Sequence, residues 1–146
     1  VLYRQTILVV EDDQLLARIV SEFLRLEGYQ VWTAHNGLHG YSTYYQHQPE
    51  TIVTDIDMPQ LDGFEMMRCI RAINPDAKSI YMSGAPEQYR QTLLAEAQNF
   101  GAVVLRKPFE EIELLKLVRR LTTEKTDSKS YGKPYGYQWS VQKRFV

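Results

Sequence analysis

Short apolar runs alternate along this chain with longer stretches of helical period. ILVV at 7–10 is continuous and bounded by acids, the pattern of a strand buried on both faces. Leu15, Leu16, Ile19, Val20, Phe23 and Leu26 recur at helical spacing and predict a helix over 15–26 with that stripe inward and Gly28 as its stop. QVWTA (30–34) reads as a second strand. Residues 37–47 read as a weaker helix carrying Leu38, Tyr41 and Tyr45, with Gly40 against it and Pro49 ending it. TIVTD (51–55) is a third strand, MPQLDG is turn chemistry, and 63–73 is a helix with Phe64, Met67, Ile70 and Ile73 inward. SIYM (79–82), a marginally amphipathic helix over 87–98, AVVL (102–105) and a helix over 110–121 with Ile112, Leu115, Val118 and Leu121 inward complete the series. Five strands alternating with five helices predict an α/β fold, a doubly wound five-stranded parallel sheet in a three-layer sandwich.

Composition narrows the class. The 146 residues are 44% hydrophobic and 24% charged, which excludes a disordered, collagenous or coiled-coil chain and allows one domain with a real core. No apolar run approaches the roughly 20 residues that span a bilayer, and no signal peptide is evident, so a cytoplasmic, membrane-free protein is expected. The single Cys69 rules out an internal disulfide, fits a reducing compartment, and reads as a small core residue on a helix. Residues 1–122 carry 12 Lys and Arg against 16 Asp and Glu, whereas 123–146 carry 5 against 2. The body is therefore mildly acidic and no general nucleic-acid binder. The polar, basic and aromatic segment 123–146 reads as an extension, flexible or docking on a partner, and is too short for a DNA-binding output domain.

The informative side chains sit where strands end. The first strand runs into Glu11-Asp12-Asp13, the third ends at Asp55 with Asp57 two residues on, the fourth at Ser83-Gly84, and the fifth at Lys107-Pro108. In an open α/β sheet the ligand site lies outside the carboxyl ends of the strands. Two like charges 4 Å apart repel by about 4 kcal/mol at an effective dielectric near 20, so Glu11, Asp12 and Asp55 brought together call for a cation. Hard oxygen ligands suit Mg²⁺. A carboxylate so neutralised is a competent nucleophile toward phosphorus, with Lys107 and Ser83 placed to offset phosphoryl charge. Taken singly, each residue has an ordinary role: Asp13 as a helix cap, Asp55 in a turn, Ser83 as a cap, Lys107 in solvent. The ordered set of four strand ends is what departs from chance.

ILVVEDD, TIVTDIDMPQLDGFEMM, IYMSGA and LRKPF, in this order, resemble the receiver domain of two-component response regulators over residues 5–122. The resemblance implies a flavodoxin-like fold of strand order 2-1-3-4-5 in a domain spanning 1–122. It implies Asp55 as phosphoacceptor, Glu11 and Asp12 as the acidic pair with Asp12 the direct Mg²⁺ ligand, and the Asp57 backbone carbonyl completing the metal shell. Ser83 then stands as the switch hydroxyl and Lys107 as the phosphate-sensing lysine, with a cis Lys107-Pro108 bond. The implied partners are a sensor histidine kinase or histidine phosphotransfer protein, a downstream protein target, and a homodimer mate on the face of the fourth helix, fifth strand and fifth helix. The chain would catalyse only its own phosphorylation and dephosphorylation. It departs from the family at Val104, where the usual switch aromatic is missing, leaving Tyr81 or Phe100 as substitutes. The loop from Gly101 to Lys107 is one residue short, and Ala85 is small.

Two other readings compete. Asp55-Ile-Asp57 resembles the nucleophile motif of haloacid-dehalogenase-type phosphatases, but there the acidic pair comes last and here it comes first. A phosphorylation-independent interaction module fits the missing aromatic and the unusual tail, but not the complete acid, serine and lysine set. His35, His39 and His47 have no metal-site spacing and read as surface residues.

Overall fold

The computed structural model describes residues 5–123. The segment expected to be an extension, 123–146, lies outside the described residues apart from Thr123, which closes the last helix. Five strands, β1 (Thr6–Val10), β2 (Gln30–Ala34), β3 (Thr51–Asp55), β4 (Lys78–Ser83) and β5 (Val103–Arg106), form one sheet of order β2-β1-β3-β4-β5. All pairs are parallel. The helices are α1 (Gln14–Leu26), α2 (Gly37–His47), α3 (Gly63–Ile73), α4 (Arg90–Phe100) and α5 (Glu111–Thr123), and a 3-10 turn, Pro86–Tyr89, precedes α4. The doubly wound sandwich, its strand order and its (βα)5 alternation are as expected.

Strand alternation divides the core into two layers. Leu8, Val10, Ile52 and Tyr81 face the α2, α3 and α4 side, while Ile7, Val9, Val53, Ile80 and Met82 face α1 and α5. Burial on both faces is why these strands read as unbroken apolar runs.

The helix faces differ from the expected stripes. In α1 the buried residues are Ala17, Val20, Ser21 and Leu24, whereas Leu15 is 68% and Leu26 87% exposed, and Ile19 is exposed too. Close packing on a sheet selects the small side chains at 17 and 21, so counting large aliphatics rotates the predicted face. In α2 it is Tyr44 that is fully buried, with Leu38 and Tyr45 outside. Ile73 and Ile112 are also exposed, while Met66, Leu114 and Leu117 are buried. Cys69 is an exposed residue of α3 and not a core residue.

Capping explains the boundaries. The Asp13 carboxylate accepts from the Leu15 and Leu16 amides at 3.0 and 3.2 Å, and Asp62 accepts from Glu65 at 2.8 Å. After α1, Gly28 takes a φ of +98°, a conformation open to glycine. Gly40 is required by contact: a Cβ there would lie 2.6 Å from Met66 Sδ and 3.0 Å from Val10 Cγ2.

Gly63 lets α3 start flush against the end of β3. Its amide donates to the Ile56 carbonyl at 2.9 Å, and a Cβ would lie 2.4 Å from the Asp55 carbonyl oxygen. That neighbour is backbone, so relief requires moving α3 or β3. Gly63→Ala is therefore expected to lower unfolding free energy by about 1–3 kcal/mol, read from the urea midpoint. An unchanged midpoint would contradict this account of the junction.

Candidate functional site

Register brings the acids together. Val10 pairs with Thr54, so the next residues along the two neighbouring strands are Glu11 and Asp55. The Glu11 amide donates to Ala34 O at 3.0 Å, continuing the ladder toward β2 and leaving Glu11 only 1% exposed. Asp12, one residue on, is exposed. Glu11, Asp12 and Asp55 each present a carboxylate oxygen, all within 4.8 Å of one another. Lys107 reaches in from the end of β5, where its amide donates to Ser83 O at 2.8 Å. Its Nζ lies 2.6 Å from Glu11 Oε2 and 3.3 Å from Asp55 Oδ2. The Lys107-Pro108 bond is cis, as expected.

Burial dominates the electrostatics. Desolvation pushes Glu11 up to about 7, against the pull of the Lys107 ammonium and the Asp13 amide and with the help of Asp12 and Asp55. Asp55 is raised for the same first reason, opposed chiefly by Lys107. Burial alone would lower Lys107, yet its hydrogen bond to Glu11 and the two carboxylate charges outweigh that and raise it. The site thus holds more negative charge than one lysine balances. Three convergent oxygen ligands, two buried and one exposed, are a donor set that fits a hard divalent ion.

Ser83 ends β4 buried, its Oγ accepting from the Ala85 amide at 3.1 Å. This is a local serine turn and not the helix cap expected of serine alone, since neither the Pro86–Tyr89 turn nor α4 has a side-chain cap. Asp57 is exposed, and its carboxylate accepts a hydrogen bond from the Tyr89 hydroxyl. That contact pushes the Tyr89 phenol up to about 12. Sequence reasoning missed Tyr89, because it placed residues 87–98 in one helix, whereas the 3-10 turn swings Tyr89 back toward the strand ends. Arg106 pairs with Glu87 of that turn. His35, His39 and His47 are all exposed, with His47 stacked on Trp32 at 4.5 Å.

Behind Ser83 on the same face of β4, Tyr81 is fully buried and donates to Glu96 Oε2 at 3.0 Å. Arg71, also buried, pairs with Glu96, donates to Ser79 Oγ at 2.9 Å, and lies 3.9 Å over the Phe100 ring. This cluster ties α3 and α4 to β4, and half-buried Val104 packs against the same core layer. Of the two substitutes expected for the missing aromatic, Tyr81 is locked in the core and Phe100 lies at its edge.

Because the folded chain binds the Glu11 proton more tightly than the unfolded chain, metal-free stability falls as pH rises from about 4.5 to about 7. The expected loss is about 1–3 kcal/mol, and Glu11→Gln removes most of it. Urea unfolding at several pH values reads both; a stability that rises through that window in the wild type would contradict the assignment.

Residues 7–119 match the family described as the response regulator receiver domain. The chain is 26% identical over 117 residues to sporulation initiation phosphotransferase F of Bacillus subtilis, covering 80% of this chain and 92% of that protein. It is 32% identical over 117 residues to response regulator MprA of Mycobacterium avium, covering 79% of this chain and 50% of that protein. The chain therefore spans about half the length of several relatives it matches. Among solved structures, the receiver domain of sensor histidine kinase PA1611 from Pseudomonas aeruginosa, described with magnesium coordinated in its active-site cleft, superposes with a TM-score of 0.73 at 26% identity. That match covers 84% of this chain and all of the other. A CheY-like receiver domain protein from Methanospirillum hungatei superposes with a TM-score of 0.76 at 23% identity, covering 86% of this chain and 100% of that one. Nothing in these likenesses favours a haloacid-dehalogenase-type phosphatase. With its acids, serine and lysine at the ends of four neighbouring strands, this chain belongs to the receiver-domain family of two-component response regulators.

Proposed function

We propose that Asp55 is the phosphoacceptor and that a phosphohistidine, on a sensor histidine kinase or a histidine phosphotransfer protein, is the donor. The observation that carries this is the convergence of Glu11, Asp12 and Asp55 within 4.8 Å beside the Lys107 ammonium. An Asp55 carboxylate oxygen forms the new bond to phosphorus. The phosphorus–nitrogen bond breaks, and its electron pair stays on the imidazole, which is protonated. Lys107 holds Asp55 by charge before transfer and is within reach of a phosphoryl oxygen after it. The Ser83 hydroxyl, occupied by the Ala85 amide in the resting state, turns to donate to a second phosphoryl oxygen.

Glu11, Asp12 and Asp55, with the Asp57 backbone carbonyl, would hold Mg²⁺, in line with the magnesium described for the PA1611 receiver. When bound, the ion supplies positive charge to the carboxylates and to a phosphoryl oxygen. The intact acid, serine and lysine set supports this reading over a phosphorylation-independent module. Output follows from the differential interaction of the phosphoryl group with two states of the face formed by α4, β5 and α5, which is where a downstream protein or a second copy would dock. Among the described residues no helix is long and apolar enough to cross a membrane.

With acetyl phosphate and Mg²⁺, intact-mass measurement is expected to show one phosphoryl group on the wild type and none on Asp55→Asn. Equal labelling of the two would overturn the acceptor assignment. Mg²⁺ is also expected to raise the melting temperature above pH 7 more than below pH 5, because its ligands must be deprotonated, and Asp12→Asn should remove most of the gain. A shift of equal size at both pH values would contradict the metal assignment.

A further inference from the structure

Helix α4 has little apolar hold on the fold. It buries one residue, Leu93, where α3 buries six. What holds its C-terminal half is the Arg71 guanidinium of α3. Glu96 pairs with that group, and one turn on it lies 3.9 Å over the centroid of the Phe100 ring. Tyr81 donates, at 3.0 Å, to the same Glu96 oxygen that accepts from Arg71. Two donors, one from α3 and one from β4, therefore converge on a single atom of α4.

Buried charge makes this hold discrete. A Glu96 carboxylate that left both donors would strand an arginine whose side chain is 5% exposed. Ser79 Oγ, 2.9 Å from Arg71, is a neutral acceptor and leaves the charge unbalanced, and Arg71 Nε already has no partner among the described residues. The C-terminal half of α4 is thus either seated or displaced, with no gradual slide between. At its other end α4 is tied to the site. The Ala85 amide, at the head of the turn that leads into α4, donates to Ser83 Oγ at 3.1 Å. A Ser83 hydroxyl drawn to a phosphoryl oxygen gives up that tie. A further tie, Glu87 to Arg106, is exposed to solvent and contributes little. The buried pair at Glu96 is then what resists displacement of the helix.

We propose that Glu96 is a positioning residue that latches α4 to α3 and β4, and that the strength of this latch sets how readily the chain enters its phosphorylated conformation. The regulatory role rests on the assignment of Asp55 as acceptor. A conformation opened against a latch is populated only fractionally, and a ligand that selects it binds more weakly by that fraction. Glu96→Gln removes the charge and keeps the shape. Tyr81→Phe removes one donor and keeps the ring on Phe64.

The test compares wild type, Glu96→Gln and Tyr81→Phe. Hydrogen exchange by mass spectrometry follows the amides of α4, with those of α1 as reference. Beryllofluoride with Mg²⁺, a mimic of the phosphoryl group, is then titrated into each protein. Glu96→Gln is expected to exchange the α4 amides about tenfold faster, with α1 unchanged. It should also bind beryllofluoride about three- to tenfold tighter than wild type. Tyr81→Phe should move both quantities the same way by less, and it alone decides if Glu96→Gln does not fold. Wild-type exchange of α4 in the variants overturns the latch. So does an acceleration shared equally by α1, which is what a general loss of stability gives. Faster exchange of α4 with beryllofluoride binding unchanged or weakened overturns the regulatory role and leaves an ordinary structural ion pair. A wild type that binds no beryllofluoride overturns the acceptor assignment, while the exchange of α4 still decides the latch.

Discussion

The site depends on one ammonium group shared between two carboxylates. Lys107 Nζ sits 2.6 Å from buried Glu11 and 3.3 Å from Asp55, and both acids are raised because burial outweighs what one cation can return. An ion pair so placed adds little net stability, since desolvation consumes most of the Coulombic gain, and removing one partner strands a buried charge. What the arrangement provides is poise. A surplus of negative charge is confined where a divalent ion or an incoming phosphoryl group can reach it, and the exposed Asp12 is the point of access.

The fold supplies that confinement through register. Glu11 is buried because its amide continues the β1–β2 ladder. Asp55 stands beside it because Val10 pairs with Thr54, and Lys107 arrives because its own amide bonds to Ser83 on β4. These contacts join neighbouring strands at their carboxyl ends, so the site is assembled at the ends of β1, β3, β4 and β5, with β2 holding the Glu11 backbone. Gly63 sets the first turn of α3 directly against the Asp55 carbonyl oxygen. On the layer beneath, Arg71, Glu96 and Tyr81 fasten α4 to the strand that ends in Ser83. β4, which ends in Ser83, and α4 are therefore mechanically adjacent even with valine at 104.

The strand ends were legible in the sequence because each is a short apolar run that stops on a polar residue with a chemical use. The family resemblance then gave those residues their separate roles. The helix faces were less legible. Ala17 and Ser21 carry the contact of α1 with the sheet, and a count of large aliphatics passes over them in favour of Leu15 and Leu26, which face solvent. Cys69 was misplaced for a related reason: its helix has one apolar stripe, and the cysteine lies off it. Tyr89 was invisible because its contact with Asp57 depends on a 3-10 turn that no periodicity announces. Arg71 was missed because a buried arginine reads in sequence as a solvated charge; only the convergence of Glu96, Ser79 and the Phe100 ring explains it.

On the proposed function, this cluster makes Asp55, and no other side chain, the group that carries phosphorus. Borohydride reduction of the phosphorylated chain, followed by peptide sequencing, tests it most directly, because an acyl phosphate is reduced to the alcohol and aspartate becomes homoserine. Homoserine is expected at position 55 alone. Homoserine at 12 or 57, or a borohydride-resistant phosphate ester on Ser83, would contradict it.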